Sequence, residues 1–293
     1  VRSRSVLNDS LLLITALIWG LAFVAQRVGM DHVGPFTYNG IRFLLGAGAL
    51  VPLALWRTPL PRTEWRSHAG SAALAGLALF AAASLQQIGL VYTSAGNAGF
   101  ITGLYVVIVP LLGLGRRQFP GMERWVAVVL AVAGLYLLSV TNGFRVNPGD
   151  VYVMGSAVFF ALHVQMIDYL SRRRSALWLS LAQYVVVGAA SLLVGLVSEP
   201  VSWEAIRGAS TAILYGGLGS ISIAYTLQVI AQRRAEPSHA AIILSLEGTF
   251  AALGGWLILG EVLSPRALVG CALLLGGMLL SQFAGLRRAP APT

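Results

Sequence analysis

The side chains in this sequence that could do chemistry stand singly in apolar surroundings. Glu247 lies in Ile243-Leu244-Ser245-Leu246-Glu247-Gly248-Thr249-Phe250, His163 in Phe159-Phe160-Ala161-Leu162-His163-Val164, and Arg42 in Gly40-Ile41-Arg42-Phe43-Leu44-Leu45. A carboxylate placed like Glu247 could bind an ammonium group, exchange a proton or pair across a cavity; the alternative is a hydrogen-bonded structural acid. His163 could accept a proton near physiological pH or donate to a substrate carboxylate, or pack as a satisfied histidine. Arg42 keeps its proton and must find a carboxylate, carbonyls or water. Substrate binding, snorkelling and helix-to-helix bonding are all open to it. Gln86 and Gln228 could act as gates or as interhelical hydrogen-bonding groups. Trp19, Phe23, Tyr105, Phe159, Phe160 and Tyr225 offer aromatic surface, of which two or three are expected to face a cavity.

No phosphate-binding lysine loop, GxSxG elbow, HExxH pair or metal-spaced cluster of His and acids occurs. An enzyme is therefore not expected, nor a cofactor, nor ATP consumption by this chain. Cys271 has no second cysteine to pair with and is expected to pack. Asp168, one turn before Arg172, is expected to form a local ion pair.

The elements that position these residues follow from composition. The chain has 293 residues, 57% hydrophobic and 11% charged, with mean hydropathy +0.77. A hydrocarbon core needs about 20 apolar residues per helical span. Such stretches recur near 9–29, 35–56, 67–91, 96–115, 121–140, 150–170, 176–197, 208–231, 238–259 and 265–285, predicting ten spans and an all-α integral membrane fold. Pro35, Pro120, Pro148, Pro237 and Pro265 fall at span edges, where a missing N–H costs least. The first span is too long for a cleaved leader and is expected to be retained. At about 1.5 Å per residue, Trp19, Tyr105 and Glu247 lie near mid-membrane, His163 shares the layer of Glu247, and Arg42 lies about 10 Å in from the opposite face.

A net charge of +9 could suggest a nucleic-acid partner, but its placement argues for topology. All 20 basic residues are arginine; with the amino terminus inside, fifteen fall on the cytoplasmic side and only Arg145, Arg207 and Arg266 on the other. That bias predicts both termini in the cytoplasm. The expected partners are membrane lipid and a small molecule, not nucleic acid, and the oligomeric state is left open.

Displacing the sequence by 142 residues aligns it with itself. Ser84-Leu85-Gln86 falls on Thr226-Leu227-Gln228, Ala98 and Ile101 on Ala240 and Ile243, and Gly134-Leu135-Tyr136-Leu137-Leu138-Ser139 on Gly276-Gly277-Met278-Leu279-Leu280-Ser281. Tyr105 and Glu247 are equivalent in this register. Five spans per half invert the second half relative to the first, so two five-helix repeats, 1–145 and 146–288, with a disordered tail at 289–293, are expected. Inverted repeats exchange conformations to open alternately to the two sides, which makes transport by alternating access the expected function; a receptor or lipid-handling protein is the reading from another class.

Three segments carry a family likeness: Leu17-Ile18-Trp19-Gly20 with Ile41-Arg42-Phe43 in the next span, Tyr92-Thr93-Ser94-Ala95-Gly96-Asn97-Ala98, and Ser245-Leu246-Glu247-Gly248 followed by Leu259-Gly260-Glu261. In this order they resemble the EamA-type carriers of the drug/metabolite transporter superfamily, with Gly248 where that family often has proline. Within the superfamily the chain looks most like the YddG-type exporters of aromatic and other neutral amino acids. The resemblance implies a substrate cavity between the halves, export of amino acids or related metabolites, and a bacterial inner membrane. A cationic-drug exporter is the alternative.

Overall fold

Proline and the polar breaks set most helix ends where the sequence predicts them. The computed structural model describes residues 2–57, 65–112, 122–141, 145–171, 175–232, 243–244 and 246–286. In chain order, α1 spans Arg2–Gly29, α2 Pro35–Arg57, α3 Trp65–Tyr92, α4 Ala95–Gly103, α5 Tyr105–Leu112 and α6 Met122–Ser139. Then follow α7 (Pro148–Ser171), α8 (Ala176–Ser198), α9 (Trp203–Gly208), α10 (Ser210–Leu214), a π-helical segment (Tyr215–Ala224), α11 (Tyr225–Gln232), α12 (Glu247–Leu259) and α13 (Pro265–Leu286). Pro35, Pro148 and Pro265 each open a helix, where proline loses no intrahelical bond. Residues 113–115, 121, 238–242, 245 and 289–293 of the predicted spans and tail lie outside the described residues.

Among the described residues, five helical stretches are long and apolar enough to cross a membrane: Leu7–Gly29, Pro35–Arg57, Ala72–Tyr92, Pro148–Ile167 and Leu177–Ser198. The exterior is correspondingly apolar, with Val129 and Val132 on α6, Leu193, Leu196 and Val197 on α8, and Trp256, Leu257 and Ile258 on α12 exposed.

The structure departs from unbroken spans in three places. The fourth predicted span is interrupted at Leu104, whose N–H donates to the Ile101 carbonyl at 3.1 Å before α5 begins. The ninth has the same tight turn at Leu246, with its N–H on the Ile243 carbonyl at 3.2 Å, immediately before α12. In the eighth, ten residues wind as π-helix. Gly216, Gly217 and Gly219 weaken α-helical preference there, and the Ser220 and Ala224 carbonyls accept side-chain hydrogen bonds from Trp19 and Thr15 of α1. The all-α expectation also needs a small correction: Val140–Thr141 and Arg145–Val146 form a two-residue antiparallel ladder, pairing Val140 with Val146 and Thr141 with Arg145.

The helices pack as α2 with α8, α3 with α7 and α8, α4 with α12, α6 with α13, and α1 between α12 and the π segment. One apolar core gathers Phe23, Leu90, Ile101, Val153, Ala251 and Leu274; a second gathers Phe43, Leu79, Leu181, Tyr184 and Ile221. Buried Cys271 lies in the first. The polar cluster described next adjoins both.

Candidate functional site

Arg42 sits two turns into α2 and is 3% exposed. Its Nε donates to Asn39 Oδ1 at 3.0 Å, one turn back on the same helix face. The guanidinium carbon lies 5.2 Å from the Tyr38 ring centroid and 5.1 Å from that of Phe43. Among the described residues no carboxylate comes within ion-pair distance of Arg42; the one such pair joins Arg27 and Asp31, near the end of α1. Burying a cation without a counter-ion costs several kcal/mol, so this placement favours an anion or water as a further partner.

Tyr225, the first residue of α11, joins Arg42 to the opposite side of the cluster. It interacts electrostatically with both Arg42 and Glu247. Its ring meets Trp19 edge-on at 4.8 Å between centroids and lies 5.6 Å from Tyr184, which lies 6.0 Å from Phe43. The result is a ladder of rings running from α1 through α11 and α8 to α2. Trp19 is fixed by its Nε1–H on the Ser220 carbonyl at 3.3 Å, one of the acceptors the π segment offers.

Glu247 follows the turn at Leu246 and opens α12. It is 4% exposed, and its Oε1 has no hydrogen-bond partner among the described residues. A helix amino terminus favours a carboxylate through its free N–H groups. Tyr105 opens α5 in the same way and interacts electrostatically with both Glu247 and Tyr225. Two glycines let the helices close on this point. A β-carbon on Gly20 would stand 2.3 Å from Phe250 Cβ and 2.8 Å from the Glu247 carbonyl, and one on Gly248 would stand 3.1 Å from Phe100 Cα. The second contact gives Gly248 a role as a spacer against α4.

The other predicted residues fall elsewhere. His163 is buried and shares a 2.7 Å hydrogen bond with Gln183 between α7 and α8. Gln86 Nε2 donates to Thr102 Oγ1 at 3.1 Å, joining α3 to α4. Gln228 is half-buried on α11. Phe23 packs in the apolar core of α1, α4 and α12 rather than in the ring ladder, Phe160 packs against the second core, and Phe159 is exposed on α7. The side chains of Asp168 and Arg172 lie outside the described residues. Sequence reasoning passed over Asn39, Tyr38 and Tyr184. A signal for Asn39 existed: an amide three residues before Arg42 in an apolar helix shares its face.

At one end of the bundle, carboxylates fasten neighbouring helices. Glu199, just after α8, accepts from the N–H groups of Phe36 and Thr37 at 2.8 Å each, capping α2. Glu261, just after α12, accepts from Ala95 N–H at 2.8 Å and Gly96 N–H at 3.1 Å, capping α4. Thr93 donates to Asp150, and Asn147 donates to the Tyr92 carbonyl at 3.2 Å. Among the described residues no group of three or more His, Cys, Asp or Glu could hold a metal ion.

Comparison with known proteins agrees with a membrane carrier. The profile of the EamA-like transporter family matches residues 7–140 and again 147–283. An uncharacterized transporter of Archaeoglobus fulgidus is 32% identical over 269 residues, covering 90% of this chain and 82% of that protein. A protein of Streptantibioticus cattleyicolor named a probable terminal-alkyne amino-acid exporter is 27% identical over 282 residues, covering 92% and 91%. A solved structure superposes with TM-score 0.66 at 18% identity, covering 96% of this chain and 99% of the other, which shows a shared fold.

Proposed function

This chain belongs to the EamA-like transporter family of integral membrane proteins, and on that premise we propose that it exports amino acids, aromatic and other neutral ones, or closely related small metabolites, by alternating access. The observation that carries this reading is a buried guanidinium and a buried carboxyl group that do not satisfy each other. Arg42 on α2 and Glu247 on α12 form no ion pair with each other, and Glu247 Oε1 has no hydrogen-bond partner among the described residues. A zwitterion supplies both missing partners at once: its carboxylate meets the guanidinium and its ammonium the carboxylate. The Trp19 and Tyr225 rings then provide a surface for the apolar part of the substrate, backed by Tyr184 and Phe43 in the second core.

The transport cycle draws on two inverted five-helix repeats, 1–145 and 146–288, crossing the membrane ten times with both termini in the cytoplasm. Three features support this architecture. Helix pairings come in matched sets: α1 against α12 corresponds to α7 against α4 and α5, and α3 against α8 to α2 against the π segment. The tight turns at Leu104 and Leu246 are equivalent in the 142-residue register. Fifteen arginines gather on one side of the chain's proposed topology. Helices broken near the midplane are where such carriers hold substrate, because half-helix ends present unpaired backbone groups. In this topology the Glu199 and Glu261 caps lie at the outer end and tie the second half to the first, which fits a latch on that side. A bacterial inner membrane is the location that fits the family likeness and the arginine bias.

A cationic-drug exporter is the competing reading. It uses Glu247 but has no need for a buried arginine without a counter-ion. Efflux of phenylalanine and of a quaternary-ammonium dye from proteoliposomes carrying wild type or Arg42→Ala separates the two. The amino-acid reading expects the variant to lose phenylalanine flux; equal retention of both fluxes would refute it.

A further inference from the structure

The way Arg42 is held is unusual for a buried cation, and it has a consequence for selectivity. A buried arginine is ordinarily fixed by a carboxylate, which restrains the side chain and neutralises it together. Here the restraint is an amide. Asn39 is fully buried, and its two polar atoms are both committed: Nδ2 donates to the Ala83 carbonyl of α3 at 3.0 Å, and Oδ1 accepts from Arg42 Nε at 3.0 Å. The Ala83 carbonyl can only accept and Arg42 Nε can only donate, so the amide has a single orientation that satisfies both. Tyr38, whose hydroxyl donates to the Ala212 carbonyl at 2.9 Å, and Phe43 fix the guanidinium with their rings.

We propose that Asn39 is a positioning residue for selectivity: it holds Arg42 with a neutral acceptor so that the full positive charge stays available to the carboxylate of an amino-acid substrate. The assignment rests on the amino-acid reading of the site. Nε is the nitrogen that Asn39 ties, and the two terminal nitrogens of the guanidinium form the fork suited to a carboxylate. An aspartate in place of Asn39 would occupy nearly the same volume and cancel the charge of Arg42, while giving up the hydrogen bond to the Ala83 carbonyl. The lost bond affects stability for any substrate alike, whereas cancelling the charge disables only an Arg42 that binds a substrate carboxylate.

The test compares phenylalanine with phenethylamine, which differs by lacking the carboxylate, as counterflow substrates of full-length protein in proteoliposomes. Asn39→Asp is expected to elute like wild type with a somewhat lower melting midpoint, to weaken phenylalanine uptake by about tenfold or more through KM, and to leave phenethylamine within about twofold. Asn39→Ala, which loses the restraint but not the charge, is expected to raise the phenylalanine KM several-fold with little change in kcat and again to spare phenethylamine. Should Asn39→Asp fail to fold, this second variant decides. Phenylalanine uptake unchanged in Asn39→Asp, or equal losses for both probes in Asn39→Ala, would overturn the assignment. A wild-type protein that moves phenethylamine but not phenylalanine would instead remove the amino-acid reading beneath it.

Discussion

Tyr105 and Glu247 stand 142 residues apart, and each is the first residue of a helix that restarts after a tight turn, the one at Leu104 and the other at Leu246. They also interact electrostatically. A duplicated local structure has thus been given two different side chains, one phenol and one carboxylate, at a shared centre. Equivalent backbone positions carrying unequal chemistry allow the two halves to share a scaffold while only one supplies the charge.

The approach of α1 to α12 depends on Gly20. An alanine β-carbon there would stand 2.3 Å from Phe250 Cβ, so the helices must separate. Gly20→Ala is expected to destabilise the protein by about 1–3 kcal/mol, read as a lower midpoint in thermal unfolding in detergent. An unchanged midpoint would show that α1 does not seat against α12 in this way.

The Glu199 and Glu261 caps are expected to hold one end of the bundle shut. Each accepts two backbone N–H groups of a helix in the other half. Replacing either with glutamine removes the charge at the helix terminus, at a cost of about 1 kcal/mol per cap. In a Cys271→Ser background, a cysteine introduced by Thr37→Cys should react faster with a membrane-impermeant maleimide once Glu199→Gln is added. Labelling as slow as in the parent would argue against the latch.

Tyr225 contributes its ring, against Trp19 and Tyr184. Tyr225→Leu keeps bulk but removes aromatic contact, which is worth about 0.5–1.5 kcal/mol per pair. The phenylalanine KM should rise by about two- to tenfold, and the threonine KM by less. Equal effects on both would place the ring outside the substrate's path.

Much of this organisation was legible in the sequence because it rests on strong signals. Apolar length and edge prolines located most helices, and one register placed Tyr105 opposite Glu247. Local interruptions were harder to see. The turn at Leu104 leaves no mark in a hydropathy window, since Gly103-Leu104-Tyr105-Val106 stays apolar throughout, and the π segment depends on acceptors for Trp19 and Thr15 that belong to another helix. The buried polar cluster proposed as the site was legible in part for the same reason. Arg42, Glu247 and Trp19 stood out as costly or distinctive residues in lipid, whereas Asn39 and Tyr184 gain their meaning from neighbours in space. Phe23 had the right type and depth, but its face of α1 turns to the apolar core.

The central claim, that buried Arg42 and Glu247 together recognise an amino acid for transport, is tested most directly by efflux from proteoliposomes containing only this protein. Radiolabelled phenylalanine, threonine and a quaternary-ammonium dye are compared for wild type and Glu247→Gln, with and without a pH gradient. The account predicts amino-acid flux in the wild type and its loss in Glu247→Gln. Dye flux without amino-acid flux, or amino-acid flux that survives Glu247→Gln unchanged, would contradict it.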